Sequence, residues 1–235
     1  MNIRLLSIIP VVVLALAKPA AGQDAKIQIR ALLNDPSKRT AELFVGKPGE
    51  SMTPLQLAEE GFTEPQQVTL EDGTLKLFSS ATVDKTNPQA SLAGSVKIPA
   101  SFTRVMLIIV PGGKGRAPYL MVPINDDPKS FPWGESRALN MTAVDFALEV
   151  GDQKLVLPGG KITEVPKVTK VDEYNRAQTN FYYKQGDQWV IAAERQMQYV
   201  SSLRRVFLIY KSENALAPDV RTILDQPPPV FENAR

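Results

Sequence analysis

Carboxylates are the side chains best supplied for chemistry in this sequence, and Asp126, Asp127, Asp145, Glu149, Glu173, Glu194, Asp219 and Asp225 are the candidates. Two of them facing each other across a cleft would suffice for glycoside hydrolysis, which needs only an acid and a base or nucleophile. Their spacing pairs none of them. Asp145 and Glu149 fall on the solvent face of a proposed strand, where charge serves solubility. Histidine and cysteine are both absent from the 235 residues. A Ser-His-Asp triad, a His- or Cys-based zinc site, a thiolate nucleophile and a disulfide are thereby excluded. No compact Ser-x-x-Lys pattern stands in a strand-to-helix context. The run Gly112-Gly113-Lys114-Gly115 lacks the residue order of a phosphate loop and leads into a strand, so no helix N-terminus waits for an anion. Asp126-Asp127 and Asp152 lie outside the Asp-x-Asp-x-Asp-Gly frame of a calcium loop. The expectation is a protein that is not an enzyme, without catalytic residues, metal or cofactor.

Aromatic side chains are the remaining candidates for recognition. Tyr174, Phe181, Tyr182, Tyr183, Trp189, Tyr199, Phe207 and Tyr210 concentrate in the second half. Within a strand Phe181 and Tyr183 share one face and Tyr182 takes the other, so one set belongs to the core. Tyr182 and Trp189 are candidates to offer a flat face to a sugar ring or a peptide. Trp133, set between Phe131-Pro132 and Gly134, is a third candidate and is expected to plug a contact between domains.

The elements that would position these residues are almost all strands. Phe146, Leu148 and Val150 alternate with Ala147 and Glu149, and Gly151-Asp152 and Pro158-Gly159-Gly160 turn the chain into Lys154–Leu157 and Lys161–Val165. Residues 179–184 and 188–193 flank Gln185-Gly186-Asp187 as a hairpin, and 204–211 follow as a β-branched and aromatic strand. In the first half, strands are predicted over 26–33, 40–45, 66–70, 74–79, 92–98, 103–110 and 119–124, with a loop over 111–116. Only Pro54–Glu60 reads as helical, with Thr53 as its cap, Pro54 at the first position and Gly61 as its stop.

The halves echo each other. Arg30-Ala31-Leu32-Leu33 matches Arg137-Ala138-Leu139-Asn140, and Thr103 onward matches Arg204 onward. Each half then closes on an acidic, proline-bearing stretch, Ile124-Asn125-Asp126-Asp127-Pro128 and Leu224-Asp225-Gln226-Pro227. The fold class expected is all-β: two tandem Ig-like antiparallel β-sandwich domains made by internal duplication, 23–130 and 131–225, folding as separate beads. Residues 226–235, with three consecutive prolines, form an extended tail.

At the N-terminus, Arg4 precedes the apolar run Leu5–Leu16, and Ala20 and Gly22 suit the small-residue sites of signal peptidase. Residues 1–22 are read as a cleaved export signal, and no later segment approaches the about 18 apolar residues of a membrane anchor. Lys and Arg number 27 and Asp and Glu 25. Since Arg4 and Lys18 leave with the signal and every acidic residue lies beyond it, the mature chain is formally neutral, with both signs interspersed. Such a balance speaks against nucleic acid and against a polybasic membrane contact.

Through the signal segment, Gly134-Glu135-Ser136-Arg137-Ala138-Leu139-Asn140-Met141-Thr142 and Pro158-Gly159-Gly160, the sequence resembles uncharacterised secreted bacterial proteins with Ig-like β-sandwich domains of unknown function. The resemblance covers mainly residues 134–210 and implies no catalytic residues. The function expected is that of a periplasmic or secreted binding protein recognising another protein or a cell-envelope component. A carbohydrate-binding module taking a glycan and a carboxylate-based hydrolase are the alternatives. N-terminal sequencing of the exported protein should begin at Gln23; a chain retaining residues 1–22 would overturn the signal reading.

Overall fold

Period-two alternation with an apolar residue at every position, rather than every second one, marks a strand buried on both faces. Two segments have that character, Arg104–Pro111 (β7) and Arg204–Tyr210 (β15), and they lie at the middle of the structure. The computed structural model describes residues 25–35, 42–112, 117–212 and 215–227, so the segment 1–22 read above as an export signal, most of the 111–116 loop and the tail beyond Pro227 lie outside the described residues. The fold is all-β.

The first eight strands are β1 (Lys26–Leu33), β2 (Phe44–Val45), β3 (Thr53–Pro54), β4 (Gln66–Thr69), β5 (Thr74–Phe78), β6 (Leu92–Lys97), β7 and β8 (Tyr119–Asn125). They form two facing sheets, β4-β1-β7-β8 and β3-β2-β5-β6. The second eight are β9 (Ser136–Asn140), β10 (Phe146–Val150), β11 (Gln153–Leu157), β12 (Lys161–Val165), β13 (Arg176–Gln185), β14 (Gln188–Gln198), β15 and β16 (Asp219–Asp225). Their sheets run β12-β9-β15-β16 and β11-β10-β13-β14. The order is the same strand for strand.

The register matches as closely. Asn34 donates its backbone N–H to Ile109 where Met141 donates to Ile209. Each unit carries an irregularity at the same place, between Leu77 and Phe78 in one and between Phe181 and Tyr182 in the other. This pairing corrects one echo by a residue: Arg30 lies beside Met106 and Arg137 beside Val206, so Arg104, not Thr103, corresponds to Arg204.

Two further expectations change. The sheets are not wholly antiparallel, because β1 pairs β7 and β9 pairs β15 in parallel; the intervening strands supply the long crossover that a parallel pair requires. Pro54–Glu60 is not a helix. Thr53–Pro54 is an edge strand on β2, and the Leu55 N–H goes to the Leu43 carbonyl while Ala58 accepts from Leu33. Backbone bonding to two strands thus displaces the local helical signals. The predicted 40–45 strand is confined to Phe44–Val45 among the described residues.

Each unit has its own core: Ile29, Leu33, Leu75, Leu77, Val105 and Leu107 in the first, Phe146, Leu148, Phe181, Phe207 and Ile209 in the second. Phe181 meets Phe207 edge-on at 5.1 Å. A third buried cluster joins the units: Leu32, Met106, Ile108 and Ile124 pack against Leu139, Val206, Leu208 and Ile223, with Phe131 from the connection between them. The four sheets therefore stack as four layers, and the units share a hydrophobic layer instead of hanging as separate beads.

Charge is buried in the same layer. The Arg204 side chain is 2% exposed and donates to Asp225 Oδ2 through Nε (3.0 Å) and Nη2 (2.6 Å), to Asp126 Oδ1 through Nη2 (2.6 Å) and to the Phe131 carbonyl through Nη1 (3.0 Å). Arg30 reaches Asp225 from the other unit at 2.5 Å and stands 3.7 Å from Asp126. Arg204→Met would leave two buried carboxylates with only Arg30 and, at 3.7 Å from Asp126, the half-exposed Arg104, and removing one member of such a buried set costs about 3–5 kcal/mol. Urea unfolding should show that loss, in one transition common to both units; two separate transitions in the native chain would contradict the shared layer.

Candidate functional site

Buried carboxylates would be the first place to look for acid–base chemistry, and two of the candidates do converge. Asp126 and Asp225 come together on Arg204 and Arg30, but they are 1% and 2% exposed and their oxygens are taken by guanidinium groups. The cluster is built to hold two sheets together. Burial opposes the charge on Arg30, yet the hydrogen bond and charge of Asp225, with Asp126, raise its pKa above the ordinary value. Trp133 belongs to the same junction: it is half-buried, and the Arg204 guanidinium lies 4.2 Å from its ring centre, with the Phe131 ring at 4.7 Å.

The other acidic candidates are dispersed. Asp127 caps the Lys129 N–H, Asp145 accepts from the Gly159 N–H, and Asp219 accepts from the Val220 N–H. Glu173 is exposed. Among the described residues no group of three or more acidic side chains could hold a metal ion, and no helix is long and apolar enough to cross a membrane.

Tyr182 and Trp189 do meet. Their strands form the long β13–β14 hairpin, closed by Gly186-Asp187, where Gly186 takes the positive φ of 61° that a two-residue turn favours. As the alternation requires, Phe181 and Tyr183 pack toward the core and Tyr182 faces out. Cross-strand pairing lines up Val156, Ala147, Tyr182 and Ile191 in one row across β11, β10, β13 and β14. Trp189 stands beside the row on β14. Val156 is 59% exposed, Ile191 55% and Trp189 46%. Beside Val156 and Trp189 lies a shallow depression of about 310 Å³ over Ala147, lined by Val156, Tyr182 and Trp189 together with Glu149 and Lys154.

The polar rim of this depression is internally paired. Lys154 Nζ donates to Glu149 Oε1 at 2.7 Å, and the Tyr182 hydroxyl donates to Glu149 Oε2 at 3.3 Å. The Lys154 hydrogen bond holds the Glu149 carboxyl below the usual carboxylate range, against a smaller opposing effect of desolvation. Next along the sheet, Gln178 bonds Asn180 (2.8 Å) and Glu194 (3.3 Å).

The matching row of the first unit is Pro54, Phe44, Phe78 and Leu92, and its middle is covered, with Leu92 half-buried and Pro54 exposed at the edge. The connection 46–52 brings Met52 and the connection 79–91 brings Val83 onto Phe44 and Phe78, leaving Phe78 fully buried. Gly49 pins that cover by donating to the Val83 carbonyl at 3.1 Å. In the second unit both connections shrink to two-residue turns, Gly151-Asp152 and Gly186-Asp187. Among the described residues, no corresponding connection covers its outer face.

Val156, Ile191 and Lys154 were not among the sequence candidates, and Glu149 was named only as a solvent-facing carboxylate. Their signal was the shortness of the two turns, which carries meaning only once the corresponding connections of the first unit are seen to be covers. The sequence matches no model of a known protein family and no curated protein.

The two tryptophans of the chain should separate in solution. Acrylamide should quench Trp189 strongly and Trp133 weakly, so Trp189→Phe should leave a poorly quenched emission; strong quenching in that variant would place Trp133 in solvent.

Proposed function

We propose that this is an exported, non-catalytic binding protein that docks another protein on the outer face of the β11-β10-β13-β14 sheet. The observation that carries the reading is the contrast between two corresponding rows: the first is covered over Phe44 and Phe78 by its own chain, while the second shows Val156 and Ile191 to solvent, with a half-buried Tyr182 in the row and an exposed Trp189 beside it. An apolar face of this kind, rimmed by polar groups, is the usual mark of an interaction surface. The identical strand order and register of the two units support descent from one duplicated Ig-like sandwich, after which one copy kept its covering loops and the other did not. Periplasm or medium is the destination that the N-terminal signal implies.

A carbohydrate-binding module is the second reading, favoured by Tyr182 and Trp189 lying on one face beside Asn180 and Gln178. A photo-crosslinking residue placed at Trp189 or Val156 in the producing cell should yield the same protein adduct, absent from a control at Ser95 on the outer sheet of the first unit. Specific binding on a glycan array, lost in a folded Trp189→Ala variant, would hand the lead to the sugar reading.

A further inference from the structure

This inference rests on the docking face just proposed and identifies what enters it. Correspondence of the two rows sets Ala147 where the first unit has Phe44: each is paired on one side to the edge strand, at Val156 and Pro54, and on the other to an aromatic, Tyr182 and Phe78. In the first unit the Phe44 ring fills the middle of the row and is 9% exposed beneath Met52 and Val83. In the second, the methyl group of Ala147 leaves that place empty, and the depression is the space so created.

We propose that the depression receives one large apolar side chain, phenylalanine, leucine or methionine, carried on a polypeptide segment of another protein laid across the sheet. That segment supplies from outside what residues 46–52 and 79–91 supply to the first unit from within. Its volume accommodates such a side chain with its flanking backbone. The chemistry of the walls selects an apolar group over a polyhydroxyl one. Lys154 and the Tyr182 hydroxyl are both turned onto Glu149 at the rim, and the floor of Ala147 with the Tyr182 and Trp189 rings offers an apolar surface.

The test uses a displayed library of short peptides selected on the mature protein. Enriched peptides should share one large apolar residue, and replacing it with alanine should weaken binding roughly 10- to 100-fold, the factor for losing one buried apolar side chain. Ala147→Phe, which fills the depression from below, should abolish binding while thermal unfolding stays at or above that of the parent. If binding is lost in Trp189→Ala but unaffected by Ala147→Phe, the face docks a partner and the depression is not where its side chain goes. If neither substitution matters, or no peptide is enriched, both the occupant and the docking face are wrong. Self-association in sedimentation that disappears with Leu216→Ser, a fully exposed side chain on the β15–β16 connection, would make the occupant a second copy and overturn the proposal.

Discussion

Arg204 begins the central strand of the second unit and ends, chemically, in both units at once. Its guanidinium is closed off from water, so its charge must be matched by partners held at hydrogen-bond distance. Those partners come from the last residues of two corresponding strand ends, Asp225 on its own neighbour β16 and Asp126 just past β8. The carboxylates are equivalent positions of the two units, as are Arg104 and Arg204. Only one of the two arginines is buried; Arg104 is 41% exposed and stands 3.7 Å from Asp126. The junction is thus built from corresponding parts used unequally, with Arg204 at its centre and Arg104 at its margin.

That ion cluster sits at one end of a layer whose remainder is hydrocarbon. Leu32, Met106 and Ile108 against Leu139, Val206 and Leu208 make each inner sheet apolar on both faces. Buried ion pairs add little net stability compared with apolar packing, but a mispaired one is costly. The division of labour follows: the aliphatic side chains drive the two units together, and the arginine–aspartate set penalises any register other than the observed one. Phe131 and Trp133, stacked on Arg204 from the connecting segment, tie that register to the chain that links the units.

Much of this was legible beforehand for physical reasons that can be named. Alternation in Phe146–Val150 and turn chemistry at Gly151 and Gly186 placed the outer hairpins of the second unit, since one-faced burial and positive φ leave local marks. The echo between Arg30 and Arg137 pointed to two like units. The docking of inner sheets was harder to read, because a strand that is apolar on both faces does not say whether its second face meets a sheet of its own unit or of the next. The convergence of Asp126 and Asp225 was equally hidden: each ends its own half, and nothing local indicates that a single arginine joins them. Tyr182 and Trp189 could be picked out as aromatics, but the openness of the face they share depended on connections that are short in the second unit, and shortness has meaning only beside its counterpart. The 54–60 segment misled for the converse reason, its helix signals being outweighed by hydrogen bonds to distant strands.

Stacking four sheets gives the molecule a polarity that neither unit has alone. Three intersheet spacings of about 10 Å separate the outermost layers by roughly 30 Å, and the two ends of that stack differ, one sealed and one open. The inner layers have no free face on which an insertion could be accommodated. Change in connection length is therefore accommodated at the ends, where a longer or shorter hairpin covers or uncovers an outer surface without disturbing the middle. The stack thus presents two unlike outer surfaces, one roofed over Phe44 and Phe78 by residues 46–52 and 79–91 and one on which Val156, Trp189 and Ile191 meet solvent.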